Sequence, residues 1–139
     1  LFLVVMTVMF HDIHKSDTYM QRYRIPGATF DEVLYADDTI CISTDTKAMN
    51  KLLAAIETEG AKYGLKLNRS KCEVMHNWTS PINVHFKDGQ RVPVKEEVRY
   101  LGCLLNKNCD ARREVAARIS QCMAIMQKLQ MFWRHSDSY

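Results

Sequence analysis

Val33-Leu34-Tyr35-Ala36-Asp37-Asp38-Thr39-Ile40-Cys41-Ile42 sets two adjacent carboxylates between two apolar runs rich in β-branched residues. The pattern predicts a β-hairpin, with strands near 29–36 and 39–43 and the acidic pair at its tip. Neighbouring side chains of a straight strand point to opposite faces, so two consecutive Asp can share a cation only where the backbone turns. Their mutual repulsion is relieved by a hard cation with oxygen ligands, for which Mg²⁺ is the usual choice where phosphates are handled. Apolar residues on both faces of the runs predict a buried hairpin, where an unpaired acidic pair is costly. The plainer reading is a surface turn, in which Asp is common.

On the N-terminal side, residues 1–14 read as a helix that is apolar almost all round and therefore buried. Lys15-Ser16-Asp17 breaks it, a short segment 19–25 carries Arg22 and Arg24, and Pro26-Gly27 makes a turn. After the hairpin, Ser43-Thr44-Asp45-Thr46 offers N-caps to an amphipathic helix with Met49, Leu52, Leu53, Ile56 and Tyr63 at helical spacing. Gly64 suits its C-cap, and 65–75 then reads as a strand, with Lys62, Lys66, Arg69 and Lys71 as a basic stretch. A solvated face explains the first three of these cations.

Residues 83–94 predict a second hairpin, with Asp88-Gly89 as a two-residue turn and Pro93 marking an edge. Residues 98–105 read as one further strand containing Gly102. From Asp110 a long helix is predicted to about Phe132, with Val115, Ile119, Cys122, Met126, Leu129 and Trp133 as an apolar stripe in need of a partner. Arg112 and Arg113 fall in its first turn, where the helix dipole disfavours cations and a phosphate would compensate.

The chain has 139 residues, 47% hydrophobic and 25% charged, which fits one modest α+β domain rather than a disordered chain. A net charge of +3 permits a nucleic-acid partner without requiring one. The five Cys form no Cys-x-x-Cys pair and are odd in number, so neither a zinc site nor a disulfide framework is indicated and a reducing, intracellular setting fits. His11-x-x-His14 and Cys72-x-x-x-His76 lack the further ligands of a tetrahedral site and read as structural. Asn77-Trp78-Thr79 matches a glycosylation sequon that has no meaning inside the cell. The opening run Leu1 to Phe10 has no Met or basic residue before it and is about half a membrane span, so neither a signal peptide nor a membrane anchor is expected. An N-terminal truncation is.

Four landmarks, in order, resemble the reverse transcriptases of non-LTR, LINE-type retrotransposons and their endonuclease-reverse transcriptase polyproteins. The apolar helix before the hairpin is similar to the motif B helix without its entry. Tyr35-Ala36-Asp37-Asp38 matches motif C. Gly64-Leu65-Lys66-Leu67-Asn68-Arg69-Ser70-Lys71-Cys72 resembles motif D, with Cys72 where Thr is usual. The Asp88-Gly89 hairpin leading into Tyr100-Leu101-Gly102 resembles the approach to the primer grip.

The resemblance implies a partial polymerase palm over 1–109, an antiparallel sheet with packed helices, and the start of a thumb or connection helix over 110–139. It implies two-metal nucleotidyl transfer with two Mg²⁺ ions about 3.5–4 Å apart. Asp37 is the principal metal ligand, Asp38 the second, and Lys71 the group that protonates or neutralises pyrophosphate. Tyr35, Tyr100, Leu101, Gly102, Arg112 and Arg113 fall to primer and template binding, with Arg118 and Lys128 as further backbone contacts. The implied partners are an RNA template, a DNA primer, deoxynucleoside triphosphates, and the N-terminal palm and fingers of the same polyprotein.

A motif A aspartate is expected before residue 1, since Asp12 and Asp31 do not sit in a comparable strand. Without its strand the hairpin should show an unpaired edge, and the chain alone should be inactive. Two other functions compete: a non-catalytic nucleic-acid-binding remnant, and a protein that associates through its C-terminal helix.

Overall fold

The computed structural model describes residues 1–16 and 20–136, so Asp17 and Tyr19 of the expected break and short segment lie outside the described residues. The fold is mixed α+β, in chain order α1 Phe2–Ser16, β1 Glu32–Tyr35, β2 Asp38–Cys41, α2 Thr46–Lys62, β3 Glu97–Tyr100, β4 Cys103–Asn106 and α3 Arg112–Ser136. It divides into two compact units, Leu1–Lys95 and Glu96–Tyr139. Among the described residues no helix is long and apolar enough to cross a membrane.

In the first unit, α1 buries Met6, Met9, Phe10 and Ile13, the three-and-four spacing of a single helical stripe. Its other face, with Phe2, Leu3, Val4 and Val8, is exposed. The expectation of burial all round is thus corrected, because in this unit only one side of α1 meets a partner. That partner is α2, which begins at the predicted place: the Asp45 carboxylate accepts from the Ala48 N–H at 2.9 Å, satisfying one of the free donors of the first turn. The helix ends at Tyr63, followed by Gly64 in the left-handed region at φ 70°.

Two adjacent faces of α2 serve two cores. Ala48 and Leu52 join Met6, Met9, Phe10 and Ile13, with Leu34 and Cys41 of the first hairpin packed against them. Met49 and Leu53 pack against Ile82, Val84, Phe86 and Val92. The side chain of Asn50 fixes the second core in register, donating to the Asn83 carbonyl at 3.1 Å and accepting from the His85 N–H at 3.0 Å.

Residues 65–75 form no regular strand. They run extended, interrupted by a 3₁₀ turn at Arg69–Lys71, and touch a neighbour through an isolated parallel bridge, Val74 with Val94. Asn68 and Ser70 explain the break: their side chains bond each other at 2.7 Å, a local arrangement that competes with a sheet ladder. The Asp88-Gly89 hairpin closes with three loop residues rather than two. Phe86 N–H donates to the Gln90 carbonyl at 2.8 Å and Gly89 N–H to the Phe86 carbonyl at 3.0 Å, with Gly89 at φ 87°. That is the three-residue loop in which the left-handed glycine forms a bulge. Its Pro93 side is no open edge, because the Pro93 carbonyl accepts from Val74 N–H at 2.9 Å.

In the second unit the expected single strand 98–105 is a hairpin. Tyr100 pairs with Cys103, and Leu101 and Gly102 turn between them at φ 47° and 78°. Two consecutive positive φ values are the requirement of a tight hairpin turn that matches strand twist. Helix α3 follows, its first turn bonded through Arg112 N–H to the Asp110 carboxylate at 2.9 Å.

Candidate active site

The acidic pair stands on the β1–β2 hairpin, whose register pairs Tyr35 with Asp38 and Val33 with Ile40. The turn therefore consists of Ala36 and Asp37, and Asp38 is the first residue of β2 rather than part of the tip. Ala36 holds φ 50°, a left-handed conformation that costs a residue with a β-carbon about 1–2 kcal/mol. The turn is maintained by what lies below it: Leu34 and Cys41 are packed against the first core, and Ile42 N–H donates to the Asp31 carbonyl at 2.7 Å.

Asp37, Asp38, Tyr35 and Val33 are exposed, so the hairpin is not buried as its apolar runs predict. The reason is topological. The sheet has two strands, and among the described residues α1 and α2 cover only the side that carries Leu34 and Cys41. The strand edges stay open, as expected for a hairpin without a further strand beside it.

Two exposed carboxylates offer only hard oxygen donors, a donor set that suits Mg²⁺, an ion that keeps several of its waters. Among the described residues they belong to no cluster of three acidic, His or Cys ligands. Lys71 ends the 3₁₀ turn, is exposed, and makes no ion pair with either Asp among the described residues.

Its neighbour Arg69, read from sequence as one of several solvated cations, is a structural clasp. It bonds Glu57 at 2.6 Å and Asp88 at 2.5 Å, and its guanidinium lies 4.7 Å from the centre of the Phe86 ring. The hydrogen bond from Arg69 holds the Asp88 carboxyl below its usual value. Lys62 is likewise paired, with Glu59 at 2.7 Å.

In the second unit Tyr100, Leu101 and Gly102 share the β3–β4 turn. Arg112 is exposed beside Asp110 at 3.9 Å. Arg113 is paired with Glu97, and Arg118 bonds Glu114 at 2.6 Å and the Gly102 carbonyl at 2.9 Å. Carboxylates of the chain itself, rather than a phosphate, offset the cations at this helix start. The apolar stripe of α3 is exposed throughout, from Val115 at 53% to Met126 at 54% and Trp133 at 48%.

Sequence reasoning missed a polar network at the base of the first hairpin. Asp31, 1% exposed, accepts from Arg24 at 2.7 Å, and His14 Nε2 lies 2.9 Å from Glu32 and 3.8 Å from Asp31. Cys41, the register partner of Glu32, has its thiol pushed up to about 12 by burial and then by Glu32 and Asp31, so it stays protonated at neutral pH. No motif spans residues so far apart in the chain; the only local signals were the Asp31-Glu32 pair and a His in the last turn of α1.

The hairpin thus lifts two carboxylates clear of a helix-backed sheet and is followed by a capped helix and a basic turn. The family model described as reverse transcriptase (RNA-dependent DNA polymerase) matches residues 1–105. The chain belongs to the reverse transcriptase family, whose members are RNA-directed DNA polymerases. Comparisons with curated proteins and with solved structures returned no match.

Proposed function

We propose that this chain is part of the palm of a non-LTR retrotransposon reverse transcriptase, with 1–109 as palm and 110–139 as the start of the thumb. The observation that carries the reading is the exposed Asp37-Asp38 pair at the end of a hairpin whose base is fixed in a core. Mg²⁺ held there would supply the charge that activates a primer 3′-hydroxyl and steadies the leaving pyrophosphate. Asp37 in the turn is its principal ligand and Asp38 the second.

Lys71 carries an exposed ammonium on the motif D segment and neutralises or protonates pyrophosphate. Tyr35, 60% exposed beside the acidic pair, stacks at the primer terminus. Tyr100, Leu101 and Gly102 position the primer, and Arg112 and Arg113 contact template and primer backbones without reading sequence, Arg113 by exchanging Glu97 for phosphate. The substrates are an RNA template, a DNA primer and deoxynucleoside triphosphates.

Among the described residues no third carboxylate joins the pair, and this reading expects the 139-residue chain alone to extend no primer. Primer extension with Mg²⁺ tests both parts. The chain alone should match its Asp37→Ala variant, and a polypeptide extended upstream to include the motif A aspartate should lose at least about 10³-fold in rate on Asp37→Ala. Extension by the chain alone above that control overturns the inactivity, and an extended protein indifferent to Asp37→Ala overturns the site.

A second reading, association through α3, draws on its exposed stripe. Loss of self-association on deleting residues 110–139 supports it, and self-association that survives removes it.

A further inference from the structure

We infer that His14, Asp31 and Glu32 form a second cation site, for a Zn²⁺-class ion, at the base of the first hairpin. The inference does not rest on the polymerase reading. One ligand atom from each residue lies within 4.8 Å of the others. With metal–ligand bonds of about 2.0–2.2 Å, donors of a tetrahedral ion stand about 3.4 Å apart. His14 Nε2 stands 2.9 Å from Glu32 and 3.8 Å from Asp31 Oδ1, the oxygen that also accepts from Arg24, and these separations straddle that spacing. An imidazole nitrogen with two carboxylates is a mixed nitrogen and oxygen set, which favours Zn²⁺ over the all-oxygen preference of Mg²⁺.

The buried carboxylate of Asp31 carries the argument. Both contacts from Arg24, Nε at 3.1 Å and Nη2 at 2.7 Å, fall on Oδ1. Oδ2 is buried and has no partner among the described residues. A simple imidazolium bridge does not repair this. A proton on His14 Nε2 is shared with Glu32 at 2.9 Å, and it leaves Asp31 Oδ2 bare among the described residues. A divalent ion shared by His14 Nε2, Glu32 and the Asp31 carboxylate gives that carboxylate a partner beyond Arg24. Arg24 then orients the Asp31 carboxylate, the role that outer hydrogen bonds play around metal-binding carboxylates.

Two carboxylates against one guanidinium leave a net negative charge when His14 is neutral, which a divalent ion reverses without protonating the ring. His14 belongs to the last turn of α1, Asp31 precedes β1 and Glu32 opens it. The ion would tie helix to hairpin at the end of β1 opposite Asp37.

The test uses the full chain with Asp37→Asn and Asp38→Asn, which removes metal binding at the acidic pair, and Co²⁺ as the spectroscopic stand-in for Zn²⁺. One equivalent of Co²⁺ should bind, give visible ligand-field absorption, and selectively broaden the NMR signals of His14 among the five imidazoles. Adding His14→Asn should weaken binding by more than about tenfold, at least the loss seen when outer ligands of metal sites are removed. Should His14→Asn fail to fold, the broadening in the His14-containing protein decides. Saturating Co²⁺ that leaves the His14 ring unperturbed, or a folded His14→Asn protein that binds Co²⁺ equally well, overturns the site and identifies the cluster as an ion-pair network only.

Discussion

The two hairpins of this molecule share a plan and differ in how they are held. Each has two four-residue strands joined by a two-residue turn, and each begins that turn with a non-glycine residue at positive φ, Ala36 at 50° and Leu101 at 47°. The β1–β2 hairpin is anchored from beneath by apolar contacts of Leu34 and Cys41 and by the Asp31 network, and its acidic tip is free. The β3–β4 hairpin is tied along its length by charges: Arg118 to the Gly102 carbonyl, Glu114 to the Leu104 N–H at 2.7 Å, Arg113 to Glu97 and Lys107 to Glu96. Among the described residues no cation pairs with either aspartate of the first hairpin. A hairpin whose side chains pack against neither apolar core takes support from the helix that follows it.

The comparison breaks most sharply at Leu52, 1% exposed in the core beneath the first hairpin. Leu52→Ala should cost about 3–5 kcal/mol in urea unfolding of the first unit. Amide exchange should quicken at β1–β2 while β3–β4 is unaffected. Equal loss of protection in both hairpins would show that they do not depend on separate supports.

Charge distinguishes them next. The bond from Arg118 and then the Leu104 N–H hold the Glu114 carboxyl below its ordinary 4.5, and the bond from Lys107 does the same for Glu96. For a group whose folded-state value is depressed, the stabilisation is complete above the ordinary value and is lost as pH falls through the folded one. Protection of β3–β4 amides should therefore decline below about pH 4.5, and should decline in high salt at neutral pH as the exposed pairs are screened. Glu114→Gln sharpens the point: it keeps an acceptor for Leu104 N–H but loses the charge facing Arg118, so it should reduce the salt sensitivity, leaving the part due to Arg113–Glu97 and Lys107–Glu96, and spare part of the protection.

The smallest effect belongs to the turns. Ala36→Gly and Leu101→Gly should each stabilise their own hairpin by about 0.5–1 kcal/mol, since glycine relieves the left-handed strain while adding freedom to the unfolded chain. Thermal unfolding of the two variants gives the comparison. A destabilised Ala36→Gly would mean that the methyl group packs usefully in the turn.

Several elements were legible because their causes are local. Asp45 caps α2 and Gly64 ends it as their positions imply, and the Asp88-Gly89 signal marks a real turn although the loop holds one residue more. Residues 65–75 misled because Leu and Lys alternate there as in a strand, while Asn68 and Ser70 bond each other and bend the chain. Residues 98–105 misled because an apolar run looks the same whether it continues or folds back; Gly102 was the available signal, and Leu101 on its left-handed side hid it. The roles assigned to Asp37, Asp38 and Lys71 came from motif order, whereas the occupation of Arg69, Arg113 and Arg118 by carboxylates of the chain appears only in three dimensions.

By itself the sequence determined the family, the helices and the placement of the acidic pair on a hairpin, since these depend on residues a few positions apart: caps, helical periodicity and turn chemistry. Tertiary structure alone decided that α1 buries one face, that the first hairpin stands open on one side, and that His14 meets Asp31 and Glu32. Burial and long-range ion pairs depend on which elements pack together, and residues separated by long stretches of chain carry no local pattern that specifies their meeting.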